Sequence, residues 1–158
     1  MTAGKAALKN ARILITGGGG FIATNFIGAV LDQNKVVVLD TLERNSIALA
    51  PFRKHKNLTV IQGDVRDLNV VRKAVDGIDY VLHMAAVAGV QTVVNNPVRT
   101  FHVNLIGTHN VLSALMRRGK VKRFVDFSTS EVYGPHVFRA DEKGMTTQGP
   151  VYQPRWFY

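Results

Sequence analysis

The sequence predicts an α/β fold, a doubly wound parallel sheet with strand order 3-2-1-4-5, on three observations. Short apolar runs rich in β-branched residues alternate with stretches of helical period along all but the end of the 158 residues. A glycine cluster, Gly17 to Gly20, directly follows the first run and opens the first helical stretch. An acidic residue, Asp40, ends the second run. Strands separated by helices pair in parallel through right-handed crossovers, which puts helices on both faces of the sheet.

Ala11 to Thr16 is an apolar run closed by glycine, the pattern of a strand buried on both faces. The segment Thr16-Gly17-Gly18-Gly19-Gly20-Phe21-Ile22-Ala23 then turns the chain into a helix. Glycine permits sharp turns and close approach of backbone to a ligand. A helix start carrying Phe21 and Ile22 leaves amide donors and a partial positive charge for a pyrophosphate. Gly17, Gly20 and Ala23 follow the spacing GxxGxxA; an ordinary flexible turn is the plain alternative. Ile22, Phe26 and Val30 recur at helical spacing up to about Gln33, and Lys35 to Leu39 forms the second strand.

Asp40, with Thr41 after it, stands where a carboxylate can accept hydrogen bonds from the adenosine ribose hydroxyls, although a turn or helix-cap aspartate would look the same. A carboxylate here repels a ribose 2′-phosphate and favours NAD over NADP, while nearby Arg44 keeps NADP open. Leu58 to Gln62 is the third strand, closed by Gly63-Asp64-Val65-Arg66-Asp67. In a parallel sheet ligands gather at the carboxyl ends of the strands, so Asp64 can receive the adenine amino group with Val65 on the ring. Asp67 caps a helix over Leu68 to Val75.

Ile78 to His83 is the fourth strand, followed by Met84, Ala85 and Ala86. Small residues there admit a planar ligand close to the backbone, or serve tight helix packing. Asn96-Pro97 reads as a cap and first-turn proline opening the longest helix, with Val98, Phe101, Leu105, Thr108, Leu112 and Leu115 on one buried face and a stop at Gly119. Asn104 lies beside that stripe, and a half-buried asparagine needs a hydrogen-bonding task. Lys122 to Phe127 is the fifth strand and feeds the hydroxyl-rich Ser128-Thr129-Ser130-Glu131-Val132-Tyr133-Gly134. From Pro135 the periodicity fades into a long loop.

Apolar residues at 46% and charged residues at 20% suit one globular domain, and no apolar run approaches the roughly 18 residues of a membrane span. The net charge of +9 collects at Arg53 to Lys56 and at Arg117 to Arg123. Both clusters fall at helix ends or loops without interleaved aromatics, so we expect solvated cations and no nucleic-acid partner. The absence of cysteine excludes disulfides in this chain and suits a reducing cytoplasm. His83, His102 and His109 lack metal-ligand spacing and read as structural or surface residues, so no metal is expected.

Taken together, the glycine loop, Asp40, Gly63 to Asp67, His83-Met84-Ala85-Ala86, Asn104 to Leu112 and Ser128 to Gly134 resemble the extended short-chain dehydrogenases/reductases that act on nucleotide sugars. These are NAD-dependent epimerases, dehydratases and decarboxylases with a Rossmann-type fold. Pro154-Arg155-Trp156-Phe157-Tyr158 is similar to the lead-in to the family's Tyr-x-x-x-Lys pair. The resemblance implies that Thr129 bonds the sugar 4-oxygen and that Tyr158 is the catalytic base. It also implies that Ser130 and Glu131 assist acid/base steps, and that Asn104 organises the site. It implies NAD as cofactor, a UDP-sugar as substrate, a 4-keto intermediate, and homodimerisation through the long helix.

The expected organisation is a loose leader at 1–10, an NAD-binding domain at 11–134, and at 135–158 a truncated loop leading to the tyrosine. The paired lysine and the C-terminal substrate domain are absent, so the piece is expected to be inactive alone. Ala23 departs from the family's usual glycine, a mild change. A non-catalytic NAD(P)-binding or interaction module is the competing reading.

Overall fold

The computed structural model describes residues 8–134, 139–150 and 152–153. Five parallel strands form one sheet in the order β3-β2-β1-β4-β5, as the sequence predicts: β1 Arg12–Thr16, β2 Lys35–Asp40, β3 Leu58–Gln62, β4 Tyr80–His83 and β5 Arg123–Asp126. Helix α1 spans Phe21–Val30, α2 Leu68–Ala74, α3 Val90–Asn95, α4 Pro97–Phe101 and α5 Thr108–Arg118. The Asp67 side chain caps α2 through the amides of Asn69 and Val70.

The two-residue period of the strands divides the core. Leu14, Val37, Leu39 and Val81 pack on one face against Val71, Val111 and Leu115 of α2 and α5. Ile13, Ile15, Val36 and Val38 pack on the other face against Ala23, Ile27 and Leu31. Each such side chain removed from water contributes about 1.5–3 kcal/mol, so β1 and β2, buried on both faces, anchor the sheet. The leader residues next to β1 are held: Asn34 bonds the Ala11 amide and the Leu8 carbonyl, and Asn10 donates to Gln33 O.

The long helix departs from expectation. Val98, Phe101, Leu105 and Leu112, placed on a buried face by their spacing, are 68%, 50%, 52% and 41% exposed. Leu115 is buried as expected, but the rest of the buried side is Thr100, Gly107, Asn110, Val111 and Ala114. The cause is a π-helical segment, His102–Gly107, between α4 and α5. A π turn holds more residues than an α turn, so a 3.6-residue template carried across it loses phase. The segment also brings Gly107 against Val65, where a Cβ would meet the valine at 2.6 Å. Asn96 precedes Pro97, but its side chain makes no capping bond, and α3 before it was not anticipated. Gly119 ends α5 in the left-handed conformation at φ +74, as expected.

Candidate functional site

A cleft of about 280 Å³ opens along the carboxyl ends of β1 to β4, and it gathers most of the residues singled out from the sequence. Gly17 and Gly20 line it from the first loop, Asp40 and Thr41 from β2, Asp64 and Val65 after β3, and Met84, Ala85 and Ala86 after β4. Its volume sits at the lower end for small-molecule sites, and its open rim suits an extended ligand.

The glycine loop is built by contact with its surroundings. Gly17 has φ +70, and a Cβ on it would lie 2.7 Å from the Met84–Ala85 peptide. At Gly19 a Cβ would lie 2.6 Å from the Arg44 carbonyl. Backbone therefore crosses backbone at two places, which no side chain permits. The helix that follows has no side-chain cap and no acidic residue in its first turn. Its leading amides are thus left for an anion. Phe21 and Ile22, expected at the cofactor, are 78% and 64% exposed on that turn and are not among the residues lining the cleft.

Asp40 is tied into the same loop. Its carboxylate accepts the Gly19 amide at 2.9 Å and the Leu42 amide at 2.6 Å. A carboxylate has about four lone-pair sites, so two remain for a diol. Leu42 takes φ +62 to make this turn. Asp64 is more committed: Arg66 Nε reaches both carboxylate oxygens at 3.0 Å, and its Nη2 reaches Oδ2 at 2.6 Å. That guanidinium holds the Asp64 carboxyl below the usual carboxylate range.

Asn104 does not line the cleft but fixes its floor. Its side chain bonds both backbone groups of Val87, while Asn110 donates to the carbonyls of Val65 and Arg66. The helix behind the sheet thus clamps two rim loops, and Asn110 escaped the sequence reading. A polar side chain among Val111, Ala114 and Leu115 was the available signal. Also missed was an ion pair between Arg99 and Glu43, with Nη2 2.6 Å from both carboxylate oxygens. Both residues line the cleft, one from α4 and one after β2.

Thr129, Ser130 and Glu131 leave the carboxyl end of β5 in a 3-10 turn, Ser130–Tyr133, and are not among the lining residues. Thr129 Oγ1 accepts the Glu131 amide at 3.2 Å. Tyr158 lies outside the described residues. Among the described residues no three His, Asp or Glu side chains are grouped to hold a metal ion, and no helix is long and apolar enough to cross a membrane.

A dinucleotide fits these residues: a cradle that no side chain permits, uncapped amides at a helix start, and an aspartate with spare lone pairs beside them. Comparison with known proteins points the same way. Residues 13–158 match the family model described as NAD dependent epimerase/dehydratase family. The chain is 35% identical over 150 residues to a dTDP-glucose 4,6-dehydratase of Mycobacterium tuberculosis, covering 90% of this chain and 43% of that enzyme. It superimposes with a TM-score of 0.83 and 30% identity on a UDP-N-acetylglucosamine 4-epimerase from Methanobrevibacter ruminantium M1, covering 94% of this chain and 46% of that one. A UDP-glucose 4-epimerase of Thermus thermophilus, solved in complex with NAD, gives 0.75 and 32%, covering 92% of this chain and 47% of the other. The chain spans less than half the length of these relatives.

Proposed function

Because this chain belongs to the NAD dependent epimerase/dehydratase family, we propose that it supplies the cofactor-binding portion of an NAD-dependent enzyme acting on a nucleotide sugar, a UDP-sugar, through a 4-keto intermediate. The observation that carries this reading is the bond from the Gly19 amide to Asp40 Oδ2. It sets a ribose-binding carboxylate and an anion-binding helix start on either side of one turn, as a ribose and its pyrophosphate require.

NAD when bound supplies a hydride acceptor, so that a sugar 4-hydroxyl can become a ketone. The chain's own residues hold and orient it. The uncapped amides of α1 take the pyrophosphate, Asp40 takes the ribose hydroxyls, and Asp64 and Val65 border the adenine end. Asp40 puts a carboxylate on the β2 side of the cleft, whereas the charge of Glu43 beside it is met by Arg99. A 2′-phosphate at Asp40 would meet like charge, which favours NAD over NADP.

On the reacting side, Thr129 Oγ1 accepts a backbone amide and keeps its own proton for the sugar 4-oxygen. Ser130 and Glu131 follow as acid/base assistants, and Tyr158 is the base that takes the 4-hydroxyl proton. Calorimetric titration with NAD⁺, NADP⁺ and UDP tests the reading. We expect NAD⁺ to bind more tightly than NADP⁺; no binding of either dinucleotide would overturn it.

The exposed apolar side chains Val98, Phe101, Leu105, Leu112 and Met116 along the helical stretch from α4 to α5 support a homodimer built on that face.

A further inference from the structure

Beneath the cleft runs a chain of hydrogen bonds through two buried side chains, to which the proposed function assigns no task. Thr16 and His83 end the neighbouring central strands and are 0% and 3% exposed. Thr16 Oγ1 lies 2.6 Å from His83 Nδ1, and His83 Nε2 lies 2.9 Å from Thr108 Oγ1. At its two ends the chain meets backbone: the Ala85 amide reaches Thr16 Oγ1 at 3.3 Å, and Thr108 Oγ1 reaches the Asn104 carbonyl at 2.6 Å.

The direction of every bond follows from the ends together with a neutral ring. A carbonyl has no proton, so the Thr108 hydroxyl must donate to Asn104 O; its oxygen is then left to accept, and His83 Nε2 must carry hydrogen. An amide can only donate, so Thr16 Oγ1 accepts from Ala85; in a neutral ring that carries its hydrogen on Nε2, Nδ1 is bare and takes the Thr16 proton. The polarity runs outward from the ring to Thr108 on one side and inward from Ala85 through Thr16 on the other. One tautomer satisfies all four bonds, the neutral ring with hydrogen on Nε2.

The backbone already ties the end of β1 to the cleft floor, the Met84 amide donating to Thr16 O at 3.0 Å, and the four side-chain bonds extend that tie to the helical segment at Asn104 and Thr108. Thr16 is the residue before Gly17, Ala85 is part of the floor after β4, and Asn104 pins Val87 of that same floor. The Gly17 loop rests on the Met84–Ala85 peptide with no room for a Cβ, so a shift of either strand end moves the other.

We propose that His83 is a positioning residue for the dinucleotide, holding the glycine loop and the 84–88 floor in register through Thr16 and Thr108. This rests on the cofactor reading above. His83 touches no cofactor itself and acts only through its two threonines. Burial holds the ring's pKa below its ordinary value, against an opposing pull from Asp126 on β5, which agrees with a neutral ring. The Phe124 ring stacked at 5.9 Å closes one face of the imidazole.

The test uses the 158-residue chain. Thr108→Val keeps the shape and loses the acceptor for Nε2–H, whereas Thr108→Ser keeps the hydroxyl. Calorimetric titration with NAD⁺, at a temperature where each variant is folded by circular dichroism, reads geometry and not fold stability. Loss of both bonds at Thr108 Oγ1, including the one that orients the ring, predicts binding about tenfold weaker in Thr108→Val and near wild type in Thr108→Ser. Should Thr108→Val fail to fold, Thr16→Val against Thr16→Ser asks the same question from the other end. Long-range ¹H–¹⁵N correlation of the wild-type imidazole at about pH 7, above the ordinary histidine pKa, is expected to show Nε2 protonated and Nδ1 bare. An Nδ1–H tautomer, an imidazolium, or equal NAD⁺ affinity in the valine and serine variants overturns the proposal. Failure of the wild type to bind NAD⁺ at all overturns the cofactor reading and this one with it.

Discussion

Asn104 closes a two-bond ring with Val87: its Oδ1 accepts the Val87 amide at 2.8 Å, and its Nδ2 donates to the Val87 carbonyl at 3.1 Å. The π-helical segment is what turns this side chain toward the loop after β4. Asn104→Leu removes both bonds and leaves two partly buried backbone groups unpaired, at a cost of about 1–3 kcal/mol. Urea unfolding checks the figure. Asn104→Asp retains the acceptor, so its midpoint should lie between those of wild type and leucine, and a leucine variant as stable as wild type would mean that the ring contributes nothing.

Two glycines with the same backbone sign should respond differently to alanine. Gly17 and Gly119 have φ +70 and +74, and a Cβ meets the Met84–Ala85 peptide in the first case and nothing within 4 Å in the second. Gly119→Ala carries only the left-handed penalty, about 1–2 kcal/mol. Gly17→Ala adds displacement of the cleft floor. We expect it to lose more stability than Gly119→Ala in thermal melts and also to lose NAD⁺ binding, which Gly119→Ala should retain.

The sheet order and the rim were legible because they depend on local signals: β-branched runs, glycine after a strand, an acid at a strand end. Asp67 and Gly119 were legible for the same reason, since caps are short-range. What escaped depends on pairs far apart in the chain. Arg99 and Glu43 are 56 residues apart, and Asn110 and Val65 are 45 apart. The phase of the long helix escaped because one π turn cannot be seen in a 3.6-residue pattern. His83 was read as a structural or surface residue and lies buried, but its partners Thr16 and Thr108 are fixed only by tertiary packing.

Asp40 has two roles that substitutions can separate. Asp40→Ala removes the acceptor for both the Gly19 and Leu42 amides as well as the ribose contact. Asp40→Asn keeps one acceptor oxygen but turns an NH₂ toward the second amide. We expect NAD⁺ affinity in calorimetry to fall at least tenfold in the alanine variant, in keeping with loss of a charge-assisted bond of about 1.5–3 kcal/mol, and less in the asparagine variant. Unchanged affinity in both removes Asp40 from the site.

The apolar stripe on α4 to α5 makes a separate prediction about assembly. Phe101 and Leu105 are half exposed, whereas Thr100 and Gly107 of the same helical stretch are buried. Phe101→Glu with Leu105→Lys places charges on the proposed seam without touching the core. Sedimentation velocity should show a dimer for the wild type and a monomer for the double variant, with circular dichroism unchanged. A wild-type monomer at high concentration would count against this face as an interface of two copies.

Acid stability should carry the signature of His83. Burial lowers its folded pKa below the 6.5 of the free side chain, so below that value the unfolded chain binds a proton that the folded chain does not. Stability therefore rises with pH in that window. The contribution is fully present above about pH 6.5 and is lost as pH falls toward the folded pKa, with a slope of at most about 1.4 kcal/mol per pH unit. The lowered carboxylates, Asp64 bound by Arg66 and Asp79 bonded first by the Arg12 amide, act in a separate range. They begin to lose their contribution only as pH approaches 3.8. Urea midpoints measured from about pH 8 to about pH 5, a range that brackets the ordinary histidine pKa, should fall for the wild type on the acid side. His83→Gln, which cannot titrate, should flatten that part of the curve. Parallel curves for the two proteins would assign the acid loss to another group.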